Sequence, residues 1–193
     1  PHRTPFEVFH NAHGLSAHEW FSARMVGLPW VQTIGDSPGI VVALSSPSAS
    51  SRPFNWARVV KHEFVHVITL QQTGFKIPHW FTEALAVIAE GGTQPLEWSR
   101  LLRERVPARE LYTLETLNDA FARPTSPEDW QFAYCQSRIY AEYMIETYGE
   151  DCIRRLLDAY GRNLSTAQAI QDVFAVELAE FEAGHLRYLE EKV

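Results

Sequence analysis

Residues 61–86 read KHEFVHVITLQQTGFKIPHWFTEALA. Apolar residues recur through this stretch at helical spacing, and four polar ones interrupt them: His62, Glu63, His66 and Glu83. The pattern predicts a helix over 55–72 with Asn55 as N-cap and a stop near Gly74. A second helix is predicted after Pro78, ending at Gly91 and Gly92. The reading of the whole chain depends on whether those four side chains converge or simply face solvent on two amphipathic helices.

Residues four apart on a helix differ by about 40° in azimuth, so His62 and His66 project from one face and can chelate one ion. Glu63 lies about 100° further round, close enough to reach a water on that ion without ligating it. Two imidazoles leave a tetrahedral zinc one protein ligand short, with a further position open. Glu83, on the second helix, can supply that ligand if the turn between them returns the chain antiparallel. Random placement of eight His and the glutamates of this chain would produce His-Glu-x-x-His roughly 0.03 times, so the pentapeptide is suggestive only. Its setting adds weight: Val59, Val60, Phe64, Val65 and Val67 surround the polar triplet.

The chain has 193 residues, 46% hydrophobic and 12% aromatic with six tryptophans, enough to bury a core. A net charge of -7, without any cluster of Lys or Arg longer than a pair, gives no electrostatic footprint for nucleic acid. No apolar run approaches the roughly 20 residues that span a bilayer. Cys135 and Cys152 do not form a disulfide framework, and the compartment stays unassigned. A start at Pro1 without Met reads as an excised or processed piece, with flanking domains in a longer protein.

The character of the sequence changes once. Residues 1–54 contain PFEVFH, alternating like a strand, SAHEWFSARMVG at helical spacing, and GIVVALSS, β-branched and strand-like. Beyond the loop SSPSASSRP nearly everything reads as helix, including PLEWSRLLRERV, SPEDWQFAYCQSRIYAEYMIETYG, EDCIRRLLDAYG, STAQAIQDVF and AVELAEFEAGHLRYLEEKV. The expected fold class is α+β: a small N-terminal β-containing lobe (1–54) packed on a mainly helical lobe (55–193). The two form a single catalytic unit with the His62 helix at their junction.

HEFVH followed by IPHWFTEALAVIAE resembles the gluzincin metallopeptidases, specifically the peptidase MA-like domains. Their second helix reads Pro-x-Trp-x-x-Glu-Gly-x-Ala with a further Glu downstream; here the matching positions are Pro78, Trp80, Glu83, Ala86 and Glu90, with Ala84 in place of the Gly. AYCQSRIYAEYMIETYGED and the closing helices carry a weaker likeness. The resemblance implies a zincin-like fold, one zinc per chain held by His62, His66 and Glu83, and Glu63 as the catalytic carboxylate. It implies Tyr134 as donor to the tetrahedral intermediate, and residues 39–45, with Val41, Val42 and Ala43, as an edge strand receiving an extended peptide or protein substrate.

Val87 stands four after Glu83, where thermolysin-like enzymes carry an orienting Asp, so the groups that orient the ligands remain open among Glu90, Asn55 and Asp119. His10, His13 and His18 read as surface histidines, His79 as a solvated helix start, and Cys135 as packing. No Gly-x-Met-Glu-Asn segment of the related aminopeptidases occurs, which favours an endopeptidase. Two alternatives stay beside the peptidase: a non-catalytic or latent zinc-containing peptide-binding module, and a zinc hydrolase acting on an epoxide or another amide.

Overall fold

The computed structural model describes residues 7–11, 34–45 and 53–193. Three strands form one small sheet: β1 (Glu7–Asn11), β2 (Gly35–Asp36) and β3 (Val41–Ser45). Their order is β1-β3-β2, with β1 parallel to β3 from Glu7↔Val41 to Asn11↔Ser45. β2 runs antiparallel on the other side, Gly35 opposite Leu44 and Asp36 opposite Ala43. Period-2 alternation sends Val42 and Leu44 into the interior, where they meet Val67 and flank Val59, Val60 and Phe64.

Those partners belong to α1 (Trp56–Gln72), so the sheet lies on the helix that carries His62, Glu63 and His66. Asn55 caps it, its side chain accepting from the Arg58 N–H at 3.2 Å. The helix stops in a left-handed turn in which Gly74 (φ 59°) and Phe75 (φ 63°) reverse the chain, and the Phe75 N–H donates to Leu70 O at 2.7 Å. Thr73 Oγ1 donates to Thr69 O at 2.8 Å and holds the same turn.

α2 (His79–Glu90) follows, entered through Pro78. Its first turn has no side-chain cap of its own. Asn118, on the short α4 (Leu117–Ala122), accepts from the Trp80 N–H at 3.0 Å instead. Contacts pair Thr69 with Thr82, His62 with Glu83, and Arg58 with Glu90, the second number rising as the first falls. α1 and α2 therefore run antiparallel.

The remaining helices are α3 (Leu96–Ala108), α5 (Pro127–Tyr148), α6 (Asp151–Gly161), α7 (Thr166–Phe174) and α8 (Leu178–Lys192). Ser126 caps α5 by accepting from the Asp129 N–H, and Ser165 with Gln168 closes a capping box on α7. Trp80 and Phe81 of α2 are fully buried in the main core with Leu117, Met144 and Leu156. Each such side chain contributes about 1.5–3 kcal/mol by leaving water, so α2 is anchored over the helical lobe while its other face meets α1.

The α+β expectation holds, and helices lie where the periodicity placed them. α4 was not expected; six residues are too few to display a helical period. The helical reading of SAHEWFSARMVG lies outside the described residues. One correction concerns the strand at 39–45. It was expected at a sheet edge, but β3 is the middle strand, paired on both sides, and Val42 is 1% exposed against α1. β2, whose Gly35 lies against α1, is an edge strand, and its two residues are too few to announce themselves by alternation.

Candidate metal centre

His62 and His66 of α1 and Glu83 of α2 come together, their donor atoms all within 4.8 Å of one another. His62 Nε2 stands 3.2 Å from Glu83 Oε2, and His66 Nε2 stands 3.6 Å from Glu83 Oε1. Among the described residues this is the one such group. Of the set-aside histidines, His10, His13 and His18 have side chains outside the described residues.

Hydrogen bonds behind the ring nitrogens settle which atoms face the centre. Thr69 Oγ1 donates to Val65 O at 2.8 Å, so it accepts from Thr82 Oγ1, also at 2.8 Å. Thr82 Oγ1 is then left to accept from His66 Nδ1–H at 2.8 Å. The His66 proton sits on Nδ1 and the Nε2 lone pair faces Glu83. On the neighbouring ring, His62 Nδ1 donates to Glu90 Oε1 at 2.6 Å, and Glu90 is in turn bound by Arg58. This carboxylate–histidine arrangement orients ligands in metal sites generally. Of the three candidates it is Glu90 whose carboxylate bonds a ring of this set, whereas the Asn55 side chain caps α1.

Charges follow the same geometry. Burial pulls His66 down to about 4, so its imidazole is neutral. Burial also opposes protonation of His62, but its hydrogen bonds to Glu83 and Glu90 outweigh that and raise it to about 10. Burial alone would raise the Glu83 carboxyl, yet the imidazoles of His66, His62 and His79 around it hold it well below the usual range.

These residues fit a zinc-type ion. The set is two imidazole nitrogens and one carboxylate, and Glu83 is only 5% exposed while its Oε2 lacks a well-formed hydrogen bond. In the metal-free state the protonated His62 ring is the positive charge facing this buried carboxylate, and a divalent ion held by the set would take over that role. Three protein ligands among the described residues match the catalytic pattern, which keeps a position open, better than the four-ligand structural one.

Glu63 is 5% exposed and stays outside the ligand set. Burial first, then the nearby carboxylates of Glu83, Asp36 and Glu90, push it up to about 8 against the opposing pull of His62. β2 passes close above it: a Cβ on Gly35 would lie 2.5 Å from Glu63 Oε1 and 2.7 Å from Val59 Cγ1. Glycine is therefore what lets the strand approach α1 at this point.

Tyr134 of α5 lines the same cavity of ≈ 290 Å³ as Glu63, His66 and Glu83. Phe121 and Trp130 hold its ring edge-on at 5.0 and 5.2 Å. Burial and the surrounding carboxylates raise its hydroxyl well above 10, keeping it a proton donor. His79 is the exposed first residue of α2, as its sequence reading has it, and its ring also lines this cavity, with Nε2 3.0 Å from Glu83 Oε1. Cys135 is fully buried, its thiol pushed by burial to about 12, in keeping with packing.

Thr82, Thr69, Arg58 and Gly35 were missed. No local signal marks them, because each acts through a partner on another element. Val41, Val42 and Ala43 do not line this cavity; Gly35 and Asp36 of β2 do.

A sequence model of the peptidase MA superfamily matches residues 48–190. No curated protein and no solved structure matches the chain.

Proposed function

The chain belongs to the peptidase MA superfamily, and from that premise we propose that it is a zinc-dependent, gluzincin-type endopeptidase. The observation that carries the reading is the convergence of His62, His66 and Glu83 within 4.8 Å beside Glu63, a buried carboxylate left free of the set. One zinc ion per chain, held by those three residues, would supply a Lewis acid that polarises the scissile carbonyl and acidifies a water near neutrality.

Glu63 takes the proton of the attacking water and delivers it to the leaving nitrogen. Its proton affinity, set high by burial and by its acidic neighbours, falls towards the working range when a cation sits beside it. Tyr134 donates its hydroxyl proton in a hydrogen bond to the oxygen on which charge develops. Glu90 and Thr82 keep the two imidazoles in one tautomer. The outer edge of β2 receives the substrate main chain, in place of Val41, Val42 and Ala43. Residues 1–193 act together as one catalytic unit.

Elemental analysis of protein purified without added zinc, with fluorescent casein cleavage by wild type and Glu63→Gln, tests the proposal. One zinc in both and hydrolysis only in wild type is expected. Zinc without hydrolysis in either points to a non-catalytic or latent peptide-binding module, and failure to bind zinc at all overturns the reading.

A further inference from the structure

We infer that a second cavity, beside the metal centre, selects the substrate residue flanking the scissile bond and takes a large uncharged side chain, aromatic or branched aliphatic. The inference rests on the peptidase reading above.

This cavity has a volume of ≈ 300 Å³. It shares Gly35, His62, Glu63, Trp130 and Tyr134 with the cavity that holds the ligand set. Those five residues form a waist between the two spaces. A peptide whose reacting carbonyl lies at the metal centre therefore has a side chain within reach of the second space, which contains neither His66 nor Glu83.

Its deeper walls come from three helices: Val59 of α1, Val87 of α2 and Trp98 of α3. The Trp98 indole N–H is already donated to Gln131 Oε1 at 3.1 Å, so the ring offers its apolar face without an unmet donor. The wall carries charges of both signs, Arg58 and Arg138 against Glu63 and Glu90. Arg58 is paired with Glu90, and Arg138 donates from Nε to Glu142 at 2.7 Å. A charged substrate side chain of either sign therefore meets a like charge as well as an unlike one, and gives up its own hydration on entering. An acidic one would in addition approach Glu63 at the waist. A large apolar side chain meets neither penalty and removes its own surface from water.

Blocked hexapeptides identical except for Phe, Leu, Ala, Asp or Lys beside the scissile bond test this. Wild type should cleave the Phe and Leu peptides with kcat/KM at least tenfold above Ala, and above Asp and Lys by more, the range open to an apolar pocket. Val87→Phe and Val59→Phe narrow the space from opposite helices; either should bring the Phe to Ala ratio to about one or below at unchanged zinc content. If one variant fails to fold, the other carries the comparison.

Binding is read separately on the zinc form of Glu63→Gln through tryptophan fluorescence, with Trp98 and Trp130 as reporters. The Phe peptide should bind at least tenfold tighter than Ala. Cleavage or binding that ignores the varied residue, a preference for Asp or Lys, or narrowed variants with an unaltered profile would overturn the inference. Discriminating binding without hydrolysis in wild type would uphold the pocket and sink the catalytic reading instead.

Discussion

Replacing Thr82 by Val removes one hydroxyl from the chain of hydrogen bonds behind His66 and changes little else, because the two side chains are nearly the same shape. Thr82 is 4% exposed and His66 6%, so water cannot easily substitute. His66 Nδ1–H then loses its acceptor at 2.8 Å, and a buried unmet donor of this kind costs about 1–3 kcal/mol. The ring can recover part of that by turning or by moving its proton to Nε2, and either response spoils the lone pair that faces Glu83. Loss of an orienting partner lowers metal affinity about 10- to 100-fold, equivalent to about 1.4–2.8 kcal/mol.

Competition for zinc against a chromogenic chelator at neutral pH measures the effect, and thermal melting of the metal-free proteins reports the folding cost on its own. Thr82→Ser keeps the oxygen and should bind zinc within threefold of wild type. Zinc binding by Thr82→Val within twofold of wild type would refute the reasoning. So would a Ser variant as weak as Val, since the hydroxyl would then not be what matters.

Gly35→Ala places a methyl group 2.5 Å from Glu63 Oε1; the carboxylate end is the part free to move, so kcat should fall about 10- to 100-fold with zinc content unchanged. A variant with wild-type kcat would show that the position of Glu63 is not set by β2. Tyr134→Phe should lower kcat about 100-fold with KM little changed, the loss typical of one donor to a developing oxyanion; a change confined to KM would assign Tyr134 to binding. In the metal-free protein His62 is held protonated, up to about 10, by Glu83 and Glu90. Zinc must displace that proton, so its affinity should rise about tenfold per pH unit from pH 7 towards 10. The His62 interactions stabilise the metal-free fold fully below pH 6.5 and are lost as pH rises through about 10; a flat zinc affinity over that window would remove the assignment.

Periodicity along the chain was enough to place α1, α2 and the later helices, because each buries an apolar stripe that recurs every three to four residues. It also made His62, Glu63, His66 and Glu83 legible as a set, since helical spacing puts the first three around one face and a turn at Gly74 returns the fourth. What the sequence left open is everything that depends on which elements become neighbours. The register of α1 against α2 puts Thr82 behind His66 and chooses Glu90 over Asn55 and Asp119 to orient His62. The pairing of β1 with β3 moves the strand at 41–45 from the sheet edge to its middle and hands the edge to Gly35 and Asp36. These contacts join residues far apart in the chain, and their energies come from shared burial and hydrogen bonding across elements. A pattern within one element carries no record of such a partner, so only the tertiary structure decides it.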